Sequence, residues 1–256
     1  MINIYRQFIG IAALCACLAL RGGALVSAAE PKVEKLTFAS GGINRTYYLY
    51  VPEKAAAGSA PMLLLLHGSG RDGKTLVDPW LRLAKSEGIV LVAPDASNPQ
   101  AWRIPQEGPD FFHDLTELVR LTHDVVDERR IYVFGHSAGA MHGLGLALLE
   151  SEYFAAVAVH AGMLPPEMAP MIPQARRKIP IAIWVGTEDA LFPLSAVRKT
   201  RDDLKAGGFD VQLAELARHT HNYYGRAADI NHQAWTFLKG HRLEAAPRYQ
   251  AYQLIK

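Results

Sequence analysis

IYVFGHSAGAMHGLGLALL, residues 131–149, decides the fold. A short apolar run at 131–134 meets Gly135-His136-Ser137-Ala138-Gly139, and small and apolar residues then resume at helical spacing. The order is strand, sharp turn, helix, and in a G-x-S-x-G elbow of that kind the serine sits at the apex in a strained conformation that projects its Oγ. Gly135 and Gly139 have a mechanical task there, because a side chain two residues either side of the serine would collide as strand and helix close on each other. Ser137 is therefore the candidate nucleophile.

The flanking sequence supplies a frame for that elbow. Residues 33–39 and 46–51 alternate in polarity, are rich in β-branched and aromatic side chains, and read as a hairpin at a sheet edge. The runs at 62–66 and 89–93 are continuously apolar, the pattern of strands buried on both faces. Between them residues 75–86 can form one helix that stops at Gly88. Residues 96–109 make a long Asn-, Pro- and Gly-containing loop around Trp102, and loops of that length usually have a function. An amphipathic helix over 110–126 follows, with Asp110 as its N-cap. Further strands are expected at 154–159, 180–185 and 211–216, and helices at 194–205 and 229–238. Residues 164–180 are proline-rich and cover part of the surface. Buried strands alternating with helices predict a doubly wound, mostly parallel α/β sheet with helices on both faces.

The chain has 256 residues and a formal charge of +2 with signs well mixed, so nothing in its charge points to a nucleic-acid partner. Arg6, the apolar run at 8–20 and the small-x-small pattern Val26-Ser27-Ala28 read as a secretory signal peptide over residues 1–28. Residues 29–256 would then form a single periplasmic or secreted domain with no stable membrane insertion. Both cysteines, Cys15 and Cys17, fall inside the signal, so the mature domain would use neither disulfide nor thiol chemistry.

Two motifs compete for residues 67–75. Gly68-Ser69-Gly70-Arg71-Asp72-Gly73-Lys74-Thr75 fits the P-loop spelling G-x-x-x-x-G-K-[ST], which would put Lys74 on phosphates and Thr75 on magnesium. Against it, two strands precede the loop and no clean second acidic strand end follows. The alternative takes His67-Gly68-Ser69-Gly70 as half of an oxyanion hole, with the backbone N–H of Ser69 as one donor and that of Ala138 as the other.

A serine hydroxyl needs a positioned base, and that base a carboxylate, here expected in the chain order Ser, acid, His. Asp189 is the candidate acid in the turn after the strand at 180–185, with Glu188 its rival. Arg218-His219-Thr220-His221 supplies two candidate bases beyond the last strand, and the same H-x-H pair could ligate a metal. His67, His136 and His160 lie at strand ends and are expected to border the cleft. Trp102, Phe192 and Met163 are candidates for the substrate pocket.

With these residues in view the chain resembles α/β-hydrolases of the esterase group that includes feruloyl esterases, polyhydroxybutyrate depolymerase-like enzymes and S-formylglutathione hydrolase. The resemblance covers most of residues 29–256. It rests on the segment 126–133 before the elbow, on Gly186-Thr187-Glu188-Asp189 followed by Phe192-Pro193, and on His221-Asn222-Tyr223-Tyr224. It implies an α/β-hydrolase fold, Asp189 as the acid, His221 rather than His219 as the base, and hydrolysis of carboxylic esters through an acyl-enzyme without a cofactor. A prolyl-oligopeptidase-like peptidase shares this chemistry. An inactive polymer-binding relative and a nucleotide-binding protein stand further off.

Overall fold

The computed structural model describes residues 32–53 and 55–250. The signal-peptide expectation for residues 1–28 lies outside them. The described residues build one eight-stranded sheet in the order β1-β2-β4-β3-β5-β6-β7-β8. β1 (Glu34–Ser40) and β2 (Ile43–Tyr50) are the expected edge hairpin, antiparallel to each other and to the next strand in. β3 (Ala60–Leu66), β4 (Val90–Pro94), β5 (Val126–His136), β6 (Ala156–His160), β7 (Ile181–Gly186) and β8 (Val211–Leu216) are parallel.

Period-two alternation divides the interior into two layers. Met62, Leu64 and Leu66 of β3 face one core and Leu63 and Leu65 the other. Helices α3 (Pro109–Thr122), α4 (Ala138–Leu149) and α5 (Leu194–Ala206) cover the first face through Phe111, Phe112, Leu115, Leu144, Val197 and Leu204. The second face is covered by α1 (Gly73–Val77), α2 (Leu81–Glu87) and α6 (Ala227–Leu238), through Leu76, Val77, Ala84, Ile230 and Trp235, with Trp80 from the turn between α1 and α2. This is the doubly wound sheet that the sequence pattern predicts.

Three boundaries differ from expectation, each for a local reason. The helix expected over 75–86 is interrupted by a 3-10 turn at Asp78–Trp80, where Pro79 has no N–H to give an α-helix. It stops as expected at Gly88, which takes the left-handed φ of 70°. Asp110 does not cap α3. Pro109 occupies the first helical position, where its missing N–H costs nothing, and Gly108 becomes the cap. That helix ends at Thr122, because Val126 already pairs with Ala60 as the start of β5. The charged residues 127–130 disguise this part of the strand: Asp127 draws in Arg130 and Arg242.

The topology decides where a site can be. After β3 the chain winds one way to β4, then returns to place β5 on the other side of β3. The loops leaving the C-terminal ends of β3 and β5 therefore diverge, and a crevice opens at this switch point. The turns after β7 and β8 reach the same end of the sheet.

Candidate active site

Ser137 follows β5 immediately and has φ 57° and ψ −119°, a positive φ that side-chain-bearing residues rarely adopt. The strain is held by close packing. A Cβ on Gly135 would stand 2.2 Å from the carbonyl oxygen of Gly139, so strand and helix do meet there. At Gly139 the obstacle is the neighbouring strand instead: a Cβ would stand 2.0 Å from Leu66 O and 2.7 Å from His67 O. The Ser137 amide donates to His160 O at 3.0 Å, tying the apex to β6.

The acid turn after β7 is organised around Asp189, whose side chain has no solvent exposure. Its Oδ1 accepts from the amides of Leu191 and Phe192, both at 2.9 Å, and its Oδ2 from His221 Nδ1 at 2.9 Å. A carboxylate can only accept here, so the Nδ1 of His221 bears the proton and its Nε2 is free to accept. That Nε2 lies 2.9 Å from Ser137 Oγ. Serine, histidine and aspartate, from three loops 84 and 32 residues apart, form one hydrogen-bonded row. Glu188, the rival acid, has an exposed side chain, and its amide donates to His219 O at 2.9 Å.

The matching family model is the alpha/beta hydrolase family, over residues 63–253. The chain belongs to this family. Among sequence relatives, it is 29% identical over 179 residues to the protein named "Putative esterase NocK" of Nocardia uniformis subsp. tsuyamanensis, covering 65% of this chain and 52% of that protein. It is 28% identical over 148 residues to S-formylglutathione hydrolase of Bos taurus, covering 47% of this chain and 52% of that one. The chain thus spans about half the length of both relatives. An S-formylglutathione hydrolase from Agrobacterium tumefaciens has a similar fold, with a TM-score of 0.66 and 18% identity over 84% of this chain and 96% of that one.

In this alpha/beta hydrolase the β3 loop closes the other side of the crevice. Gly68 approaches so near that a Cβ there would lie 3.2 Å from Ser137 Cβ, and Gly68 and Ser69 line one cleft with Ser137 and His221. The loop is clamped from below. His67 bridges Gly68 O and the Ala96 amide at 2.9 and 3.1 Å, the Trp102 indole donates to His67 O at 2.8 Å, and Gly70 N donates to Pro99 O at 2.8 Å. Glu107 fixes the long loop in turn: it is fully buried, takes the amides of Ser97 and Arg103, and is ion-paired with Arg45. Burial alone would raise its carboxyl, but these donors hold it below the usual range.

The P-loop spelling proves to be helix-capping chemistry. Asp72 caps α1 by accepting from Thr75 N, the Thr75 hydroxyl bonds Asp72 O, and Lys74 is paired with Asp78. The H-x-H pair divides likewise, since His221 faces Ser137 while His219 Nε2 lies 3.0 Å from His160 Nε2. Among the described residues no group of three or more His, Cys, Asp or Glu side chains is arranged so that it could hold a metal ion.

The proposed pocket residues are corrected. Trp102 is buried behind the β3 loop, stacked on His142. Phe192 stacks on His221 with centroids 5.6 Å apart. Met163 packs against the core. None of the three lines the cleft, whose walls come instead from Arg71, Glu188 and Asn222 in loops and Tyr224 in a single 3-10 turn, none of them marked by periodicity.

A feature unforeseen in the sequence lies beneath the row. His136, His160 and His219 form a buried chain, with His136 Nδ1 and His160 Nδ1 3.0 Å apart and His160 Nε2 reaching His219. It joins the nucleophile strand, β6 and the loop that carries His221. Burial lowers all three imidazoles from their ordinary value of 6.5, His136 and His160 strongly, and so favours their neutral forms. His67 and His142 shift in the same direction for the same reason. The unfolded chain therefore binds more protons below pH 6.5, so stability is full above that pH. It is lost as pH falls toward about 4, where His136 titrates in the fold. His136, His142 and His160 each remove about 1.4 kcal/mol per pH unit in this window. Glu150 opposes them: burial raises its carboxyl to about 8, a contribution present below 4.5 and lost as pH rises through 8. The histidines outnumber it, so urea midpoints should fall steeply between pH 6.5 and 5. A flat profile there would mean that the chain is charged in the folded state.

Proposed function

We propose that the protein is a serine carboxylesterase acting through an acyl-enzyme. The carrying observation is the row Ser137 Oγ–His221 Nε2 and His221 Nδ1–Asp189 Oδ2, each link 2.9 Å. Ser137 Oγ attacks the ester carbonyl as His221 Nε2 takes its proton. The resulting imidazolium is stabilised by Asp189, then gives the proton to the departing alkoxide. Water, activated by the same histidine, releases the acid. The backbone N–H groups of Ser69 and Ala138 receive the oxyanion. Ala138 is the first residue of α4, where helix geometry leaves the N–H without an intrahelical partner and the macrodipole favours negative charge. The names of the sequence relatives, one an esterase and one S-formylglutathione hydrolase, support an ester as substrate.

Stopped-flow turnover of 4-nitrophenyl acetate tests the mechanism. A burst of nitrophenolate equal to the enzyme concentration, followed by a slower steady state, is expected if deacylation limits the rate. Cleavage of aminoacyl anilides without ester turnover would assign a peptidase instead, and turnover of neither would leave a binding relative.

The proposal extends to export, supported by the signal-like pattern of residues 1–28. Mass spectrometry of the protein from an expressing bacterium should find a mature N-terminus near Ala29.

A further inference from the structure

The cleft is small, about 490 Å³, and its walls differ in charge. Arg71 lines it from the end of the turn that carries Ser69, and Glu188 lines it from the acid turn. We propose that the site takes esters bearing an anionic group, a carboxylate above all, and that Arg71 receives that group. This deepens the esterase reading of the same site and rests on it.

Three observations support Arg71 as a built recognition element. Its backbone is anchored on both sides, by Gly70 N on Pro99 O at 2.8 Å and by Gly73 N on Asp95 Oδ1 at 2.8 Å. Its guanidinium lies 5.2 Å from the centroid of Tyr224, an aromatic ring on the loop that also holds His221. Stacking of this kind pre-orders a long side chain before any ligand arrives. The third is the lack of an internal counter-ion. Arg45, Arg120, Arg130, Arg198 and Arg242 each contact a carboxylate, whereas among the described residues none lies within 4.0 Å of Arg71. The nearby acids are otherwise engaged, Asp72 on Thr75 N and Asp95 on Gly73 N. A weakly hydrated planar fork held beside the nucleophile, with its donors free, matches a carboxylate in two-point fashion.

Glu188 gives the arrangement a preference. Among the described residues it has neither aromatic bracing nor an ion partner, and an anion placed against it would meet a like charge. Its repulsion leaves Arg71 as the place for the substrate's negative end.

The test compares paired esters that differ in one carboxylate, using the full-length protein. On the acyl side the pair is 4-nitrophenyl hexanoate and the 4-nitrophenyl monoester of adipic acid. On the alcohol side it is phenyl acetate and 4-acetoxybenzoate. In at least one pair kcat/KM should favour the anion by about fivefold or more at low salt, mainly through KM, and the preference should shrink in 0.5 M NaCl, an ionic strength taken as roughly that needed for strong screening. In Arg71→Gln the ratio within that pair should fall to about one, and Arg71→Lys should restore part of it. Inhibition by adipate against hexanoate gives the same comparison in the unsubstituted protein. A ratio near one in both pairs, a preference that survives Arg71→Gln, or a preference for cationic esters lost in Glu188→Gln would overturn the assignment. Turnover of no ester at all would overturn the esterase reading, and this one with it.

Discussion

Ser137→Ala should lower kcat on 4-nitrophenyl butyrate by about 10⁴ to 10⁶-fold and abolish the nitrophenolate burst. The size follows from the row acting as a unit. Without the Oγ, His221 has no proton to take, and only the oxyanion donors and substrate binding remain to assist water. Asp189→Asn should approach the same loss by another route. An amide in place of Oδ2 can present a donor to Nδ1, so the ring is held in the wrong tautomer with its Nε2 no longer free to accept. Neither change removes apolar contacts, and circular dichroism should show both proteins folded. Near-normal turnover by Ser137→Ala would mean that the nucleophile lies elsewhere.

Gly139→Ala should be severely damaging for a single added methyl group. The added carbon would stand 2.0 Å from Leu66 O and 2.4 Å from Leu66 C, which are backbone atoms of a strand paired on both sides. Neither β3 nor α4 can give way without breaking a ladder or opening the core. A loss of more than about 4 kcal/mol, or failure to fold, is expected. Gly145→Ala, six residues on in the same helix, should do the reverse. Its new methyl meets only Met168 Cε at 3.5 Å, an ordinary contact, and removing a glycine from a helix interior gains about 0.5–1 kcal/mol. Urea denaturation of the two variants decides the matter. Equal midpoints would show that the packing at the elbow is looser than these distances.

The contrast between these two glycines shows what could be read from the chain. The elbow letters announced a tight turn and a candidate nucleophile, but a sequence does not distinguish a glycine pressed against a neighbouring strand from one with room beside it. The same holds for the histidines. Placing His67, His136 and His160 at strand ends was within reach of the pattern, because strand ends are marked by where an apolar run stops. Their separate duties were not legible. His67 braces the β3 loop, while His136 and His160 join His219 in a chain that depends on the spacing between strands. Trp102, Phe192 and Met163 were misplaced because large apolar side chains near a cleft look alike in sequence, whether they face it or support it from behind.

By itself the sequence determined the alternating strands and helices and the elbow, while the choice of Asp189 and His221 as candidates rested on resemblance to related hydrolases. The strands, helices and elbow are written in local periodicity or in a turn that only particular residues can make. Tertiary structure alone decided which charges face the substrate and which buried groups brace the row. Those choices depend on the β3–β5 switch point, which brings together loops far apart in the chain, and no local pattern records how such loops meet.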